Sequence, residues 1–159
     1  MIHLQLTLLL LVANGAPVLA KRLLGARGAW PVDLGLSLPD GRRVLGDSCT
    51  FRGWAAAALA AGAAAAVMGL PVLLGVEIGL LAMAGDAASG FAKRRMGLAP
   101  GTMALGLDQI PESLLPLLRV RERFALGWLD VLVLVAVFFC AELVLSRLAY
   151  RWGLRDRPY

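Results

Sequence analysis

The residues in this chain that can do chemistry are few, and they cluster at the ends of apolar segments. Asp86 closes one apolar run, Asp108 opens another, and between them stand Ser89 and the basic triplet Lys93-Arg94-Arg95. If a helix containing Asp86 continues past it, Asp86, Ser89 and Lys93 fall at i, i+3 and i+7 and share one stripe. That pairing suits a polyphosphate. Mg²⁺ is commonly held by one or two carboxylates with phosphate oxygens completing its octahedron, and Asp86 and Asp108 are candidates for that role. Lys93 and Arg94 would then neutralise the remaining charge. A second group lies in Leu45-Gly-Asp-Ser-Cys-Thr-Phe-Arg-Gly53, where Ser48, Thr50 and Arg52, flanked by Gly46 and Gly53, offer hydroxyl, guanidinium and backbone donors to phosphate. Plainer readings stand beside these. Lys93-Arg94-Arg95 can serve as a topology anchor, and Asp108 can cap a helix that carries Pro111 and Glu112 in its first turn.

The elements that must position these residues are membrane spans. Of the 159 residues, 59% are hydrophobic and 17% charged, and the mean hydropathy is +0.74. A soluble domain carries about 45–50% apolar residues and roughly 25% charge, so the chain is too apolar for an ordinary water-facing surface. Disorder, collagen and a disulfide-stapled secreted fold are excluded on the same grounds. The length suits one domain, 1–159. The net charge of +5 does not call for nucleic acid, because Lys and Arg gather at the cytoplasmic ends of spans.

Ile2 to Ala20 is long enough to cross a bilayer, and Met1 to Gln5 lacks the basic start of a signal peptide. Phe51 to Ala84 is too long for one crossing and breaks at Gly69-Leu70-Pro71, which predicts spans near 53–69 and 71–88. Leu107 to Leu118 is a short fourth span or a re-entrant segment, and Gly127 to Leu148 is the last. The fold class expected is therefore an all-α polytopic bundle of about five transmembrane helices. Polar loops cover 21–52 and 89–106, the second containing the turn signal Pro100-Gly101. A basic tail, Arg151 to Tyr159, closes the chain. With four spans or five, most of the sixteen basic residues fall on the side of those loops, which places them in the cytoplasm.

Other polar residues fit structural roles. Asn14 suits a hydrogen bond to a neighbouring helix. Glu77 has no basic partner in its own segment and reads as a protonated packing residue or a headgroup ligand. Glu142 reads as an internal pairing group and His3 as a solvated terminal residue. Cys49 and Cys140 have no ligand spacing and read as free thiols. The small side chains of Ala55 to Ala66 suit close helix contact.

The order of Asn14-Gly-Ala-Pro17, Leu45-Gly-Asp-Ser-Cys-Thr-Phe-Arg-Gly53, Gly85-Asp86 with Ser89 and Lys93-Arg94-Arg95-Met-Gly97, and Leu107-Asp108-Gln109 resembles the CDP-archaeol synthase family from end to end. That family is similar to the membrane phosphatidate cytidylyltransferases. The resemblance implies a five-span, Mg²⁺-using nucleotidyltransferase of phospholipid biosynthesis, which transfers CMP from CTP to a lipid phosphate and releases pyrophosphate. Its partners would be CTP, the lipid phosphate and membrane lipids, with a homodimer compatible and no nucleic acid. Carried over by residue, Asp86 and Asp108 hold the metal, Lys93 and Arg94 contact phosphates, Ser48, Thr50, Arg52 and Gly53 belong to the nucleotide loop, and Asn14 matches the first-span motif. Three positions depart from the family pattern: Cys49 stands for a lysine, Ala88 for another, and Pro111 for a second acid, with Glu112 one place later and turned by about 100° on a helix. The Ala-, Arg- and Gly-rich composition points to a high-GC bacterium, so a divergent bacterial-type member of the cell inner membrane is expected, with its lipid acceptor left open. A family member that has lost catalysis and binds lipid or a partner is the alternative.

Overall fold

The computed structural model describes residues 1–98 and 102–154, so the Pro100-Gly101 turn and the end of the basic tail from Arg155 lie outside the described residues. Five helices follow in order: α1 (Ile2–Leu24), α2 (Phe51–Val67), α3 (Val72–Arg95), α4 (Gln109–Val120) and α5 (Trp128–Arg151). Three of them, α1, α3 and α5, are long and apolar enough to cross a membrane, and α2 is a shorter apolar helix. The protein is an all-α polytopic membrane bundle.

Each helix end has a local cause. Thr50 caps α2, its hydroxyl accepting from the Gly53 N–H at 3.1 Å. Gly69, at φ +71°, turns the chain into Pro71, the N-cap of α3. Pro111 stands in the first turn of α4, where its missing N–H costs no helical bond.

Side-chain contacts give the connectivity. Gln5 at the start of α1 donates to the Met68 carbonyl at the end of α2 (3.0 Å). His3 meets Asp130 in the first turn of α5 (3.3 Å). Glu77, early in α3, pairs with Arg119 at the end of α4 (2.7 Å), and Lys93, late in α3, pairs with Asp108 at the start of α4 (2.6 Å). The helices thus alternate in direction, and α4 runs antiparallel to α3 from one end of the bundle towards the other. It joins the loop end of the bundle to the opposite end rather than folding back on itself, although its 12 residues are fewer than a bilayer core needs. The Arg119 contact also corrects the expectation for Glu77: its basic partner comes from another helix.

The two ends of the bundle differ in chemistry. Leu6, Leu9 and Leu10 of α1, Leu74 and Ile78 of α3, Leu117 and Val120 of α4, and Val131, Leu134 and Phe138 of α5 form one buried apolar core. All lie in the half of their helix away from the long first loop. The candidate site residues occupy the other half, here called the loop end.

Small residues let the helices approach. A Cβ on Gly79 would lie 2.6 Å from the Ala57 carbonyl oxygen, and one on Gly75 would overlap the Ala61 backbone, so α2 and α3 pack almost backbone to backbone. Gly85 does the same for α4: a Cβ there would sit 2.6 Å from the Glu112 Cα. The glycine before Asp86 therefore seats the first turn of α4 against α3.

One expected boundary moves by several residues. The loop expected from 89 begins only after Arg95, because α3 continues unbroken through the triplet. The first loop is more ordered than its turn signals imply. Residues 36–44 fold back on themselves through Val44 N–H to Leu36 O (3.0 Å) and Leu38 N–H to Arg42 O (2.9 Å), and Val32 N–H bonds Cys49 O (2.8 Å).

Candidate functional site at the loop end

The first loop lies over the end of α3 and is held there by a few side chains. Asp33, with a side chain only 2% exposed, accepts five hydrogen bonds. These come from Arg43 Nη2 (2.6 Å) and Nε (3.3 Å) and from the backbone N–H groups of Leu45 (2.9 Å), Gly46 (2.9 Å) and Gly35 (3.2 Å). The Arg43 guanidinium foremost, with those amides, holds its carboxyl well below the usual carboxylate range against the opposing effect of desolvation. Arg42 Nη1 caps the end of α3, donating to the Arg94 and Arg95 carbonyls (3.0 Å each). Arg95 returns to Asp40 (2.6 Å) and the Arg43 carbonyl (3.0 Å), and Arg94 Nη2 donates to the Leu45 carbonyl (3.0 Å). At Gly46, φ is +87° and a Cβ would fall 2.6 Å from Arg94 Nη2, so any larger residue would strain the backbone and displace the Arg94 guanidinium.

Two polar cavities open beneath this strap. The first, about 480 Å³, is lined by Arg42, Arg43, Lys93, Arg94 and the Gly46-Asp47-Ser48-Cys49 turn. The second, about 540 Å³, is lined by Asn14, Lys21, Thr50, Arg52 and Gly53, with Glu112 and Glu142. Both are lined by Asp47, Ser48, Cys49 and Asp86, so Asp86, half-buried on α3, stands at their junction. Both volumes lie within the roughly 300–1,000 Å³ of small-molecule sites.

The structure brings Asp86, Lys93, Arg94 and Ser48 to the first cavity, and Asn14, Ser48, Thr50, Arg52, Gly53 and Asp86 to the second. Asp108 lines neither. Its Oδ1 holds Lys93 and its Oδ2 accepts from the Ala104 N–H (3.1 Å). It stands at the N-cap position of α4 without a capping side-chain bond, so the capping alternative does not hold. Ser89 is also turned away, since its hydroxyl bonds the Asp86 carbonyl (2.8 Å) and is 1% exposed. Thr50 Oγ1 caps α2 while lining the second cavity. Arg52 donates to the Gly25 and Arg27 carbonyls (2.8 and 2.6 Å). Asn14 bonds within its own helix, to the Leu10 carbonyl (3.1 Å), and not to a neighbouring helix as expected.

Several lining residues were missed or underrated. Lys21 falls at the start of the expected first polar loop, yet it lies in the last turn of α1 and lines the second cavity. The signal was its spacing, because Asn14, Val18 and Lys21 fall at i, i+4 and i+7 on one face of α1. Glu112 reaches the same cavity as Asp86 despite its one-residue shift. Glu142 accepts from Gln109 (3.1 Å) and Ser146 (2.9 Å), a pairing role as expected, but it also lines the second cavity. Cys49 is buried between the two cavities with the Trp54 indole N–H on its sulfur (3.4 Å), and burial pushes its thiol up from the ordinary range. Cys140 is the other free thiol.

Among the described residues no three of His, Cys, Asp and Glu converge as a cage for a metal. Mg²⁺ does not need one, since one or two carboxylates and substrate phosphates suffice. The oxygen donors around Asp86, namely Ser48, Asp47 and, in the second cavity, Glu112, are of the hard type it takes.

Comparison with known proteins is consistent from end to end. The family model described as CarS-like, CDP-archaeol synthase, matches residues 1–159. A CDP-archaeol synthase of Aeropyrum pernix is 39% identical over 94% of this chain and 86% of its own length. That of Sulfurisphaera tokodaii is 33% identical over 94% of this chain and 90% of its own. A solved structure, described as an intramembrane enzyme for archaeal membrane lipid biosynthesis, superposes with a TM-score of 0.71 at 35% identity, over 89% of this chain and 90% of that one. Both named synthases come from archaea.

Proposed function

Because the chain belongs to the CDP-archaeol synthase family, we propose that it transfers CMP from CTP to the phosphate of an archaeal ether-linked glycerolipid, giving a CDP-lipid and pyrophosphate. The observation that carries this reading is the position of Asp86, at the junction of a cation-lined cavity and a second cavity that reaches deeper between the helices. Two phosphorylated substrates must meet at one phosphorus, and two cavities joined at one carboxylate suit that requirement.

The first cavity takes the nucleotide. Lys93 and Arg94 on α3, with the backbone of the Gly46-Asp47-Ser48 turn, meet the triphosphate charge and favour its expanded transition state. The second takes the lipid phosphate, with Lys21 and Arg52 as cations and Asn14, Ser48 and Thr50 as polar contacts. A lipid phosphate oxygen attacks the α-phosphorus of CTP, the bond to the β-phosphate oxygen breaks, and pyrophosphate leaves. No strong general base is needed, because the nucleophile is already an anion at neutral pH. Asp86 is the principal carboxylate for Mg²⁺, which supplies charge neutralisation on the departing pyrophosphate when bound. Asp108 holds the Lys93 ammonium in place beside the first cavity, and Asp47 is the second carboxylate that lines it.

The basic loop end faces the cytoplasm of the cell membrane, where CTP is available and where Lys and Arg accumulate. The test is pyrophosphate release by the purified protein with CTP, Mg²⁺ and either a geranylgeranylated ether glycerol phosphate or a diacyl phosphatidic acid. Release with the ether lipid that Asp86→Asn abolishes is the expected result. Silence with both lipids would sink the reading in favour of a non-catalytic binding protein.

A further inference from the structure

The polar contacts at the start of α4 form one chain that crosses three helices. Lys93 of α3 pairs with Asp108 at 2.6 Å, and the two side chains are only 14% and 19% exposed. Asp108 Oδ2 accepts from the Ala104 N–H (3.1 Å) while its own N–H donates to the Ala104 carbonyl (3.1 Å), which closes the turn before α4 on itself. The next residue, Gln109, is buried and uses both ends of its amide. Its Oε1 accepts from the Gly106 N–H within that turn (3.0 Å), and its Nε2 donates to Glu142 Oε2 on α5 (3.1 Å). Ser146, one turn further along α5, donates to the other carboxylate oxygen (2.9 Å).

This chain bridges parts of the bundle that otherwise do not meet. Among the described residues α5 packs on α1 and α4 alone, and it lends no side chain to the first cavity. Glu142 nevertheless stands in a membrane-spanning helix, where an ionisable group is expensive and marks a function by default. Gln109 lines neither polar cavity, so it acts on the reaction only through its neighbours. They lead to Lys93, whose flexible four-carbon stem fixes no position of its own.

Resting on the function proposed above, we propose that Gln109 and Glu142 are positioning residues for the nucleotide: Glu142 anchors Gln109, Gln109 fixes the turn, and Asp108 in that turn sets the Lys93 ammonium against the phosphates of CTP. A neutral amide suits the middle of this chain. It donates to a carboxylate on one side and accepts from a backbone N–H on the other, whereas an acid there would repel Glu142 and an ammonium would leave the Gly106 N–H unpaired.

The test uses the full chain in lipid nanodiscs. Gln109→Leu keeps most of the side-chain bulk and removes both bonds. It should raise KM for CTP about tenfold, since a misplacement of roughly 1 Å at a substrate contact can cost up to about 100-fold. In a Lys93→Met background, where no ammonium is left to place, Gln109→Leu should raise KM for CTP no further. An equal rise in both backgrounds would show only a loosened fold and would overturn the proposal. The exchanged pair, Gln109→Glu with Glu142→Gln, restores every bond with donor and acceptor reversed. It should bring KM for CTP back towards the wild-type value, and a pair no better than Gln109→Glu alone would refute the chain of contacts.

Hydrogen exchange gives a readout without turnover. Gln109→Leu should quicken exchange at Gly106, which Gln109 bonds, and also at Ala104, which only Asp108 bonds. Full protection of Ala104 would break the chain at Asp108 and count against the proposal. Wild-type protein that neither binds CTP nor transfers from it would refute the function and the proposal with it, whereas transfer with a KM for CTP indifferent to Gln109→Leu would refute the proposal alone.

Discussion

Removing the Asp33 carboxylate should open the nucleotide site without touching it. Asp33→Ala takes away the acceptor for the Leu45 and Gly46 N–H groups, each 2.9 Å from Oδ2, and for Arg43. Gly46 is buried and Leu45 half-buried. An amide left without a partner costs about 1–3 kcal/mol, with the lower figure where water can reach it, so the two together cost roughly 2–4 kcal/mol. Arg43 keeps Asp47 and solvent and adds little. At about 1.4 kcal/mol per tenfold, local opening of the 33–47 segment should become about 30 to 700 times more frequent, while the helices, whose contacts lie elsewhere, keep their melting temperature. Hydrogen exchange at Leu45 and Gly46 should speed up accordingly, and KM for CTP should rise at least tenfold. The pH dependence has a definite sign. Because the folded protein holds Asp33 well below its ordinary value of 3.8, its contribution is complete above that pH and fades only as the pH falls below it. Wild-type exchange at these amides should therefore show no loop opening from this group between pH 5 and 8. Unchanged protection of both amides in Asp33→Ala would refute the reasoning.

Two further substitutions separate packing from charge. Gly79→Val should lower the melting temperature in detergent, because a Cβ 2.6 Å from the Ala57 carbonyl forces α2 and α3 apart at a cost of about 1–3 kcal/mol; a wild-type melting temperature would mean that the helices do not approach so closely. Cys49→Lys replaces a buried, neutral thiol between the two polar cavities with a cation and should lower KM for CTP several-fold in steady-state assays, whereas an unchanged or higher KM would mean that the existing cations already satisfy the triphosphate.

The spans and their order were legible because the features that define them are local: long apolar runs, Gly69-Leu70-Pro71 as a break, and flanking basic residues. The extension of α3 to Arg95 was not, because a basic triplet beside glycines reads equally as loop or as the last turns of a helix. In the candidate site, Asp86 and Ser48 were visible as polar residues at apolar boundaries, and they line the junction of the polar cavities. Tertiary partners were invisible. Nothing in a single segment says that Asp108 holds Lys93, that Glu77 meets Arg119, or that Asp33 gathers a loop of a dozen residues around one carboxylate. Glu112 shows the limit of register reasoning: a turn of 100° on an isolated helix points it away from the lost acid's direction, yet the close seat that Gly85 gives α4 brings it to the cavity that Asp86 also lines.

The decisive measurement is the fate of the α-phosphorus. With CTP labelled at that position, Mg²⁺ and a geranylgeranylated ether glycerol phosphate, the wild-type protein should carry label into the organic phase as a CDP-lipid and the Asp86→Asn variant should not. Label that stays in the aqueous phase with wild-type protein, or that transfers equally with Asp86→Asn, would contradict cytidylyl transfer at the Asp86 junction.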